Sequence, residues 1–171
     1  MLRKISLIAV AALAVASAPA VAQSFSGPRV GAEIGVIGNK VGGFSNPGSF
    51  TYGGDVGYDF DLGSAVLGGT VSYQASSNNA LQRELAAIAR VGAKVDGHVL
   101  VYALGGYSNL SIKSGTPLGN VHVDGYRLGG GAEFAVTKNV YLNLEERYSH
   151  YTKFGVGAHG WQTALGLGFR F

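Results

Sequence analysis

The last eleven residues of the chain, WQTALGLGFRF, alternate bulky or apolar side chains with small or polar ones. A period of two places successive side chains on opposite faces of a β-strand. The segment therefore predicts a strand with one apolar face and one nearly bare face. The bulky set is Trp161, Thr163, Leu165, Leu167, Phe169 and Phe171.

The same alternation recurs along the chain and predicts five further strands, from Val30 to Val36 and over 52–61, 66–75, 126–136 and 140–151. Two other segments are less regular. Residues 99–114 begin apolar on both faces and then alternate. Residues 81–95 fit a helix almost as well as a strand, because apolar residues also recur there at helical spacing. With both counted as strands, the chain has eight.

The connections between these eight strands are predicted to alternate in length. Membrane barrels combine tight periplasmic turns with longer outer loops, whereas a soluble barrel has no reason to sort its loops. The pattern therefore favours an all-β fold, an eight-stranded antiparallel transmembrane β-barrel. The predicted short turns are 61–65, 96–98 and 137–139, and the predicted long loops are 39–51, 76–85, 115–120 and 152–160.

Glycine dominates the bare face of the predicted strands. The interior of an eight-stranded barrel is only just wide enough for side chains, so small residues belong there. We therefore predict that the bare face lines the lumen and that the apolar face contacts lipid. The glycines in question are Gly31, Gly35, Gly53, Gly57, Gly92, Gly129, Gly131, Gly166 and Gly168.

Charged residues on the bare face balance, five acidic against five basic. A buried charge is costly unless it is paired and hydrogen-bonded. We therefore predict a structural ion-pair network that fills the lumen, with a gated solute path as the alternative. The residues are Glu33, Asp55, Asp59, Arg90, Lys94, Arg127, Glu133, Glu145, Arg147 and Arg170.

Aromatic residues on the apolar face collect near both strand ends. Lipid–water interfaces select such aromatic girdles, whereas β-propensity alone would scatter the rings along the strands. One predicted girdle contains Tyr52, Tyr73, Tyr126, Tyr148 and Trp161, and the other contains Phe60, Tyr102, Phe134, Phe169 and Phe171.

Glu146 breaks the pattern, because it falls on the apolar face between Leu144 and Tyr148. A carboxylate in contact with lipid is destabilising. Three explanations remain open: a position near the outer headgroups, contact with a partner, or a β-bulge in this strand. The first is our hypothesis.

Four motifs resemble the bacterial outer-membrane β-barrel-domain family, which includes OmpA/OmpX-type small barrels and opacity-protein-like surface antigens. They are GYDF (57–60), GGGAEF (129–134), NVYLNLEERYSHY (139–151) and GLGFRF (166–171). The resemblance implies an integral protein of the cell outer membrane with an eight-stranded barrel, and it favours a strand at 86–95. It also implies contact with outer-membrane lipids, with periplasmic chaperones and with the barrel-assembly machinery. Members typically end in an aromatic assembly signal, which Leu167, Phe169 and Phe171 match.

The N-terminus has the pattern of an export signal. Arg3 and Lys4 precede an apolar stretch over 5–16, and Ala20 and Ala22 form a small-residue cleavage site. An uncleaved anchor helix is the alternative, but the apolar stretch is short for one. The predicted division is a signal peptide, 1–22, and an outer-membrane β-barrel domain, 23–171.

Composition excludes several kinds of partner and reaction. Without Arg3 and Lys4 the chain has eleven basic and ten acidic residues, so its charge gives no basis for a nucleic-acid partner. The absence of cysteine excludes thiolate chemistry and disulfides. We expect no cofactor and no metal, since no three donors converge in the sequence.

Catalysis is not expected either. Ser149 and His150 are adjacent, so a strand would point them to opposite faces. His122 and Asp124 share a face that we predict to be outward, as polar residues near the headgroups. The sequence thus predicts a monomeric outer-membrane barrel with a structural, surface-antigen or adhesive role, binding a host or surface ligand through its loops. The alternatives are a narrow porin-like channel for small solutes and a membrane-embedded lipid hydrolase.

Overall fold

A computed structural model describes residues 25–41, 44–77, 81–113, 120–153 and 156–171. Within these ranges the segments with alternating side chains form β-strands. The strands are β1 (Gly27–Val41), β2 (Phe44–Asp61), β3 (Ala65–Ser76), β4 (Leu81–Lys94), β5 (Val99–Lys113), β6 (Asn120–Ala135), β7 (Val140–Lys153) and β8 (Val156–Arg170).

The eight strands form one closed antiparallel barrel in chain order, in which β8 pairs with β1. The predicted fold class is therefore confirmed. The ambiguous segment at 81–95 is strand β4, which pairs with β3 and β5. Within the described ranges, no helix is long and apolar enough to cross a membrane. The predicted signal peptide lies outside the described residues.

The register of the barrel gives its tilt. Direct pairs lead from Val30 on β1 through all the other strands to His159 on β8, and from there to Lys40 on β1. One circuit therefore climbs ten residues, which corresponds to a strand tilt of about 40°. Residues at equal height on neighbouring strands are consequently offset by a little more than one position from direct pairs.

Three of the four predicted long loops are mostly strand, so their boundaries were wrong, and 115–119 of the fourth lie outside the described residues. β1 and β2 together occupy all of 39–51 except 42–43, and β7 and β8 occupy all of 152–160 except 154–155. The connections at the opposite end are 62–64, 95–98 and 136–139. The two ends of the barrel differ in the strands themselves, because the strands continue past the aromatic residues at one end only. We call this end the outer end and the other the terminal end.

The two faces of the sheet have reversed polarity relative to a soluble barrel. Outward side chains such as Leu167 and Val56 are 56% and 58% exposed, whereas Arg127 and Glu133, which point inward, are both 0% exposed. Apolar groups outside and charged groups inside require an apolar surrounding. The predicted orientation of the faces is confirmed.

Inward glycines lie opposite large inward side chains. Gly168 is paired with Tyr141 and Gly68 with Asp59, and a Cβ on either glycine would collide with the partner side chain. These glycines provide the space into which charged and aromatic groups fold. The lumen is thereby filled by side chains.

Outward aromatics form two belts. At the outer end, six rings lie at similar heights in the register, which we call the outer belt, and Tyr107 joins the five predicted there. The prediction for Tyr102 at the other end was wrong. Tyr102 is 4% exposed, points into the lumen and donates a hydrogen bond to Glu145. The outer belt is Tyr52, Tyr73, Tyr107, Tyr126, Tyr148 and Trp161; the inner belt contains Phe60, Phe134, Phe169 and Phe171.

Candidate functional site: lumen network and outer surface

Four charged side chains cross the lumen near the terminal end in a closed cycle of ion pairs, which we call the base ring. Arg90 contacts Asp59 at 2.5 Å and Glu133 at 2.9 Å. Arg170 contacts the same two carboxylates, each at 2.9 Å. The four residues come from β2, β4, β6 and β8, so the cycle links every second strand of the barrel. All four are buried.

A second cluster lies at mid-height. Arg147 donates two hydrogen bonds to Glu33, of 3.0 and 2.5 Å, and one of 2.6 Å to Glu145. Tyr102 donates to Glu145 at 2.5 Å, and Gln74 donates to Glu33. The two carboxylates are each shared between Arg147 and a neutral donor. This arrangement compensates their charge away from water.

A third cluster fills the lumen toward the outer end. Arg127 contacts Glu84 at 2.5 Å and also donates to Ser149 at 3.2 Å. Glu84 accepts further hydrogen bonds from Tyr151, at 2.6 Å, and from Ser108. Together the three clusters place paired charges along the length of the interior.

Sequence reasoning missed two buried charged members of this network, and in both cases the missing signal was a strand boundary. Arg29 contacts Asp55 at 2.9 Å and Asp59 at 3.1 Å, but it precedes the first predicted strand. Glu84 was counted in a loop, although it has the same parity as Arg90 on β4. The predicted Lys94 contacts Asp61 at 2.5 Å, half-buried at the terminal end.

Phe25 closes the terminal end of the lumen beneath the base ring. The ring is 0% exposed, with the Arg170 guanidinium carbon 5.5 Å and the Lys94 ammonium 5.7 Å from its centroid. Cations over an aromatic face are favourable contacts. A residue ahead of β1 thus seals the interior on this side.

Glu146 lies on the outward face one rung inside the outer belt. It is exposed, and its Oε2 accepts a hydrogen bond of 2.6 Å from Thr163 on β8. Pairing is regular on both sides of it, with Gly130 and with Thr163, so the explanation by a bulge was wrong.

The candidate catalytic groups do not converge. Ser149 is buried in the lumen, while His150 lies on the outward face, as predicted. His122 and Asp124 are both exposed on the outward face. In the described part of the chain, no three histidine or carboxylate side chains are placed to hold a metal ion.

The outer end is basic. The sequence from 38–51, 75–85, 109–124 and 150–161 contains four basic residues and two acidic ones. Both acids are engaged: Glu84 with Arg127, and Asp124 with Tyr107 and Asn109. The four basic residues are Lys40, Arg83, Lys113 and Lys153.

A closed barrel with an apolar exterior, aromatic belts and an ion-paired lumen defines an integral membrane barrel. Residues 8–171 match the model of the outer membrane protein beta-barrel domain, and the chain belongs to this family. The predicted family and the location in the outer membrane are thus confirmed. A search of the curated proteins finds no match.

Three solved structures show the same fold. Neisserial surface protein A is 18% identical, with 85% of this chain and 98% of that chain covered and a TM-score of 0.64. The N-terminal barrel of Pseudomonas aeruginosa OprF is 20% identical, with coverage of 82% and 97% and a TM-score of 0.58. Ail, the attachment invasion locus protein of Yersinia pestis, in complex with the heparin analogue sucrose octasulfate, is 15% identical, with coverage of 85% and 99% and a TM-score of 0.56.

Proposed function

We propose that this outer-membrane barrel is a closed, non-enzymatic scaffold whose outer end attaches to anionic saccharides on other surfaces. The observation that carries this proposal is the combination of an ion-paired lumen with a basic outer end. A filled interior favours a role at the surface over transport. Recognition commonly lies on the connections that a rigid scaffold presents.

The charge of the outer end supports a sulfated or otherwise anionic ligand. Four basic residues belong in sequence to the outer ends of the strands, and both carboxylates there are already engaged. Complementary charge raises the rate of encounter and makes binding sensitive to salt. The complex of Ail with a heparin analogue gives the same ligand class in a protein of this fold.

Adhesion of cells that display the protein on heparin-coated and uncoated surfaces tests the proposal. Substitution of Lys40, Arg83, Lys113 and Lys153 by Gln is expected to reduce retention on heparin about tenfold, since several charge contacts are lost together. Lys138→Gln, in the turn at the terminal end, is the matched control and is expected to retain full adhesion. Equal retention of all three proteins would refute the saccharide ligand.

Conductance separates the scaffold from the porin-like alternative. The purified protein in a planar bilayer is expected to show no steady current, because the base ring and Phe25 obstruct the lumen. Reproducible single-channel steps from the folded protein would instead support a channel. The division into a signal peptide, 1–22, and a barrel domain, 23–171, is part of the proposal, and N-terminal sequencing of the exported protein tests it.

A further inference from the structure

Three of the chain's four histidines lie on the outward face, between the outer belt and the outer end. His122, His150 and His159 belong to three adjacent strands, β6, β7 and β8. His150 and His159 are direct partners in the β7–β8 pair. His122 and His159 are exposed and His150 is half-buried. We call these residues the histidine patch.

Aromatic rings of the outer belt fix the depth of the patch. The centroids of Tyr126 and His150 are 5.4 Å apart, and those of Tyr148 and His159 are 6.3 Å apart. Tyr148 also packs against Trp161 at 5.2 Å. Tyr and Trp rings mark the lipid–water interface of a barrel. The imidazoles of His150 and His159, on the outer side of these rings, therefore lie at the depth of the lipid headgroups, facing the bilayer.

One carboxylate lies at the same height as the patch. Asp124 is on β6, and its Oδ1 accepts hydrogen bonds from Tyr107 and from Asn109, the latter at 2.7 Å. Glu146 lies four residues below His150 on β7 and is bonded to Thr163. Both acids thus have donors of their own.

One basic residue shares the outward face with the patch. Lys40 on β1 is the register partner of His159, whereas Lys153, three residues after His150 on β7, has the opposite parity. Lys40 and Asp124 therefore balance in charge around the patch. Any protonation of the histidines adds positive charge to this surface.

Protonation also creates a local conflict that an anion resolves. A neutral imidazole donates one hydrogen bond, whereas an imidazolium donates two and has a positive charge. Like charges directly opposite on adjacent strands are destabilising, with Cβ atoms only about 5 Å apart. An oxyanion between His150 and His159 would accept a hydrogen bond from each and cancel the repulsion.

We propose that the histidine patch binds the phosphate group of an outer-leaflet lipid and binds it more tightly as the pH falls. Phosphate is the anion present at headgroup depth, and the patch faces the bilayer rather than the outer end. Histidine is the side chain that gains positive charge as the pH falls through the physiological range, so a lower pH favours the cationic form. The affinity is therefore expected to rise between pH 7.5 and 5.5. The proposal is independent of saccharide attachment, because none of the histidines is among the residues proposed to bind the saccharide.

Association of a spin-labelled lipid with the folded protein in phosphatidylcholine nanodiscs tests the proposal. The probe is phosphatidylglycerol, whose single negative charge does not change over this pH range, so the response reports the protein. The preference of the parent protein for labelled phosphatidylglycerol over labelled phosphatidylcholine is expected to rise about fivefold from pH 7.5 to 5.5. The rise corresponds to one charge-assisted hydrogen bond at an exposed site.

Three variants decide the outcome. The double variant His150→Gln, His159→Gln is expected to lose the rise, whereas His98→Gln, in a turn at the terminal end, is expected to keep it. Asp124→Asn is also expected to keep it. A pH-independent preference in the parent, a rise that survives in the double variant, or a rise lost in Asp124→Asn would overturn the proposal.

A second probe distinguishes lipid phosphate from free phosphate. Inorganic phosphate added to the same nanodiscs at pH 5.5 is expected to leave the bound fraction of labelled phosphatidylglycerol unchanged. Complete displacement by inorganic phosphate would assign the site to a free anion and overturn the lipid assignment.

Discussion

At the scale of single residues, Glu146 contradicts the apolar exterior most directly. Its carboxylate lies just inside the outer belt, toward the middle of the bilayer, and accepts a hydrogen bond from the Thr163 hydroxyl. That hydrogen bond and the short distance to the interface lower the cost of the charge. The location just inside Tyr148 is close to the headgroup position that the sequence predicts.

Substitution of this residue measures the remaining cost. Glu146→Leu is expected to stabilise the barrel by only about 1 kcal/mol, less than the ~2–4 kcal/mol typical of Arg or Lys at the bilayer midplane. Urea unfolding from lipid vesicles gives the change in free energy, with Thr163→Val as the companion variant that removes only the donor. A gain of several kcal/mol would place the carboxylate deep in the hydrocarbon.

Arg147 is the residue on which the mid-height cluster depends. Arg147→Met leaves Glu33 and Glu145 without their common cation, and the barrel is expected to lose about 3–5 kcal/mol, the usual cost of breaking a buried pair. Arg83→Met, at an exposed position on β4, is the control and is expected to change stability by less than about 0.5 kcal/mol. Equal unfolding free energies for the two variants would show that the lumen charges are hydrated instead of paired.

At the scale of strands, glycine placement sets how closely neighbours approach. Gly106→Ala on β5 would press a Cβ against the backbone of Ala87 and Ile88 on β4, whereas a Cβ at Gly69 on β3 would meet nothing within 4 Å. The first change is expected to destabilise by about 1–3 kcal/mol through overpacking, and the second to be neutral or slightly stabilising. Paired urea titrations compare them, and the reverse order would refute the packing argument.

The faces of most strands could be predicted, because apolar side chains toward lipid and small or charged side chains toward the lumen alternate with a period of two. The prediction was ambiguous where apolar residues occupy both faces. On β4, Ala86 and Ile88 are buried in the lumen while Leu85 and Val91 are exposed outside, so their spacing also suits a helix. Tyr102 was assigned to the wrong face for the same reason, because β5 begins apolar on both sides.

Strand ends could not be predicted from local sequence. Beyond the outer belt the residues are polar or small and resemble a loop, yet the backbone continues to pair with its neighbours. That pairing depends on hydrogen bonds to other strands, which no single segment encodes. Glu84 was therefore missed near the outer end, and Arg29 was missed at the terminal end because β1 begins before the predicted strand, although each has the parity of its lumen-facing neighbours.

At the scale of the whole molecule, closure between β1 and β8 removes every free sheet edge. Thirteen register pairs join these two strands, from Arg29 with Arg170 to Val41 with Ala158. A closed barrel satisfies all of its backbone groups within the sheet, so no strand can be pulled away alone. Charge pairs from alternate strands in the base ring add cross-links through the centre. Unfolding is consequently expected to be cooperative.

Electrophoretic mobility reports this closure. The unheated protein in dodecyl sulfate is expected to remain a compact barrel and to migrate differently from the boiled chain. The closed sheet has no unpaired edge strand at which the detergent could start to unfold it. Arg147→Met, which weakens the interior and leaves the sheet pairing intact, is expected to convert at a lower temperature than the parent, with Arg83→Met converting as the parent does. A single band unaffected by boiling would mean that the ladder between β1 and β8 does not persist in detergent, and the cross-links through the lumen would then be too weak to account for the stability of the fold.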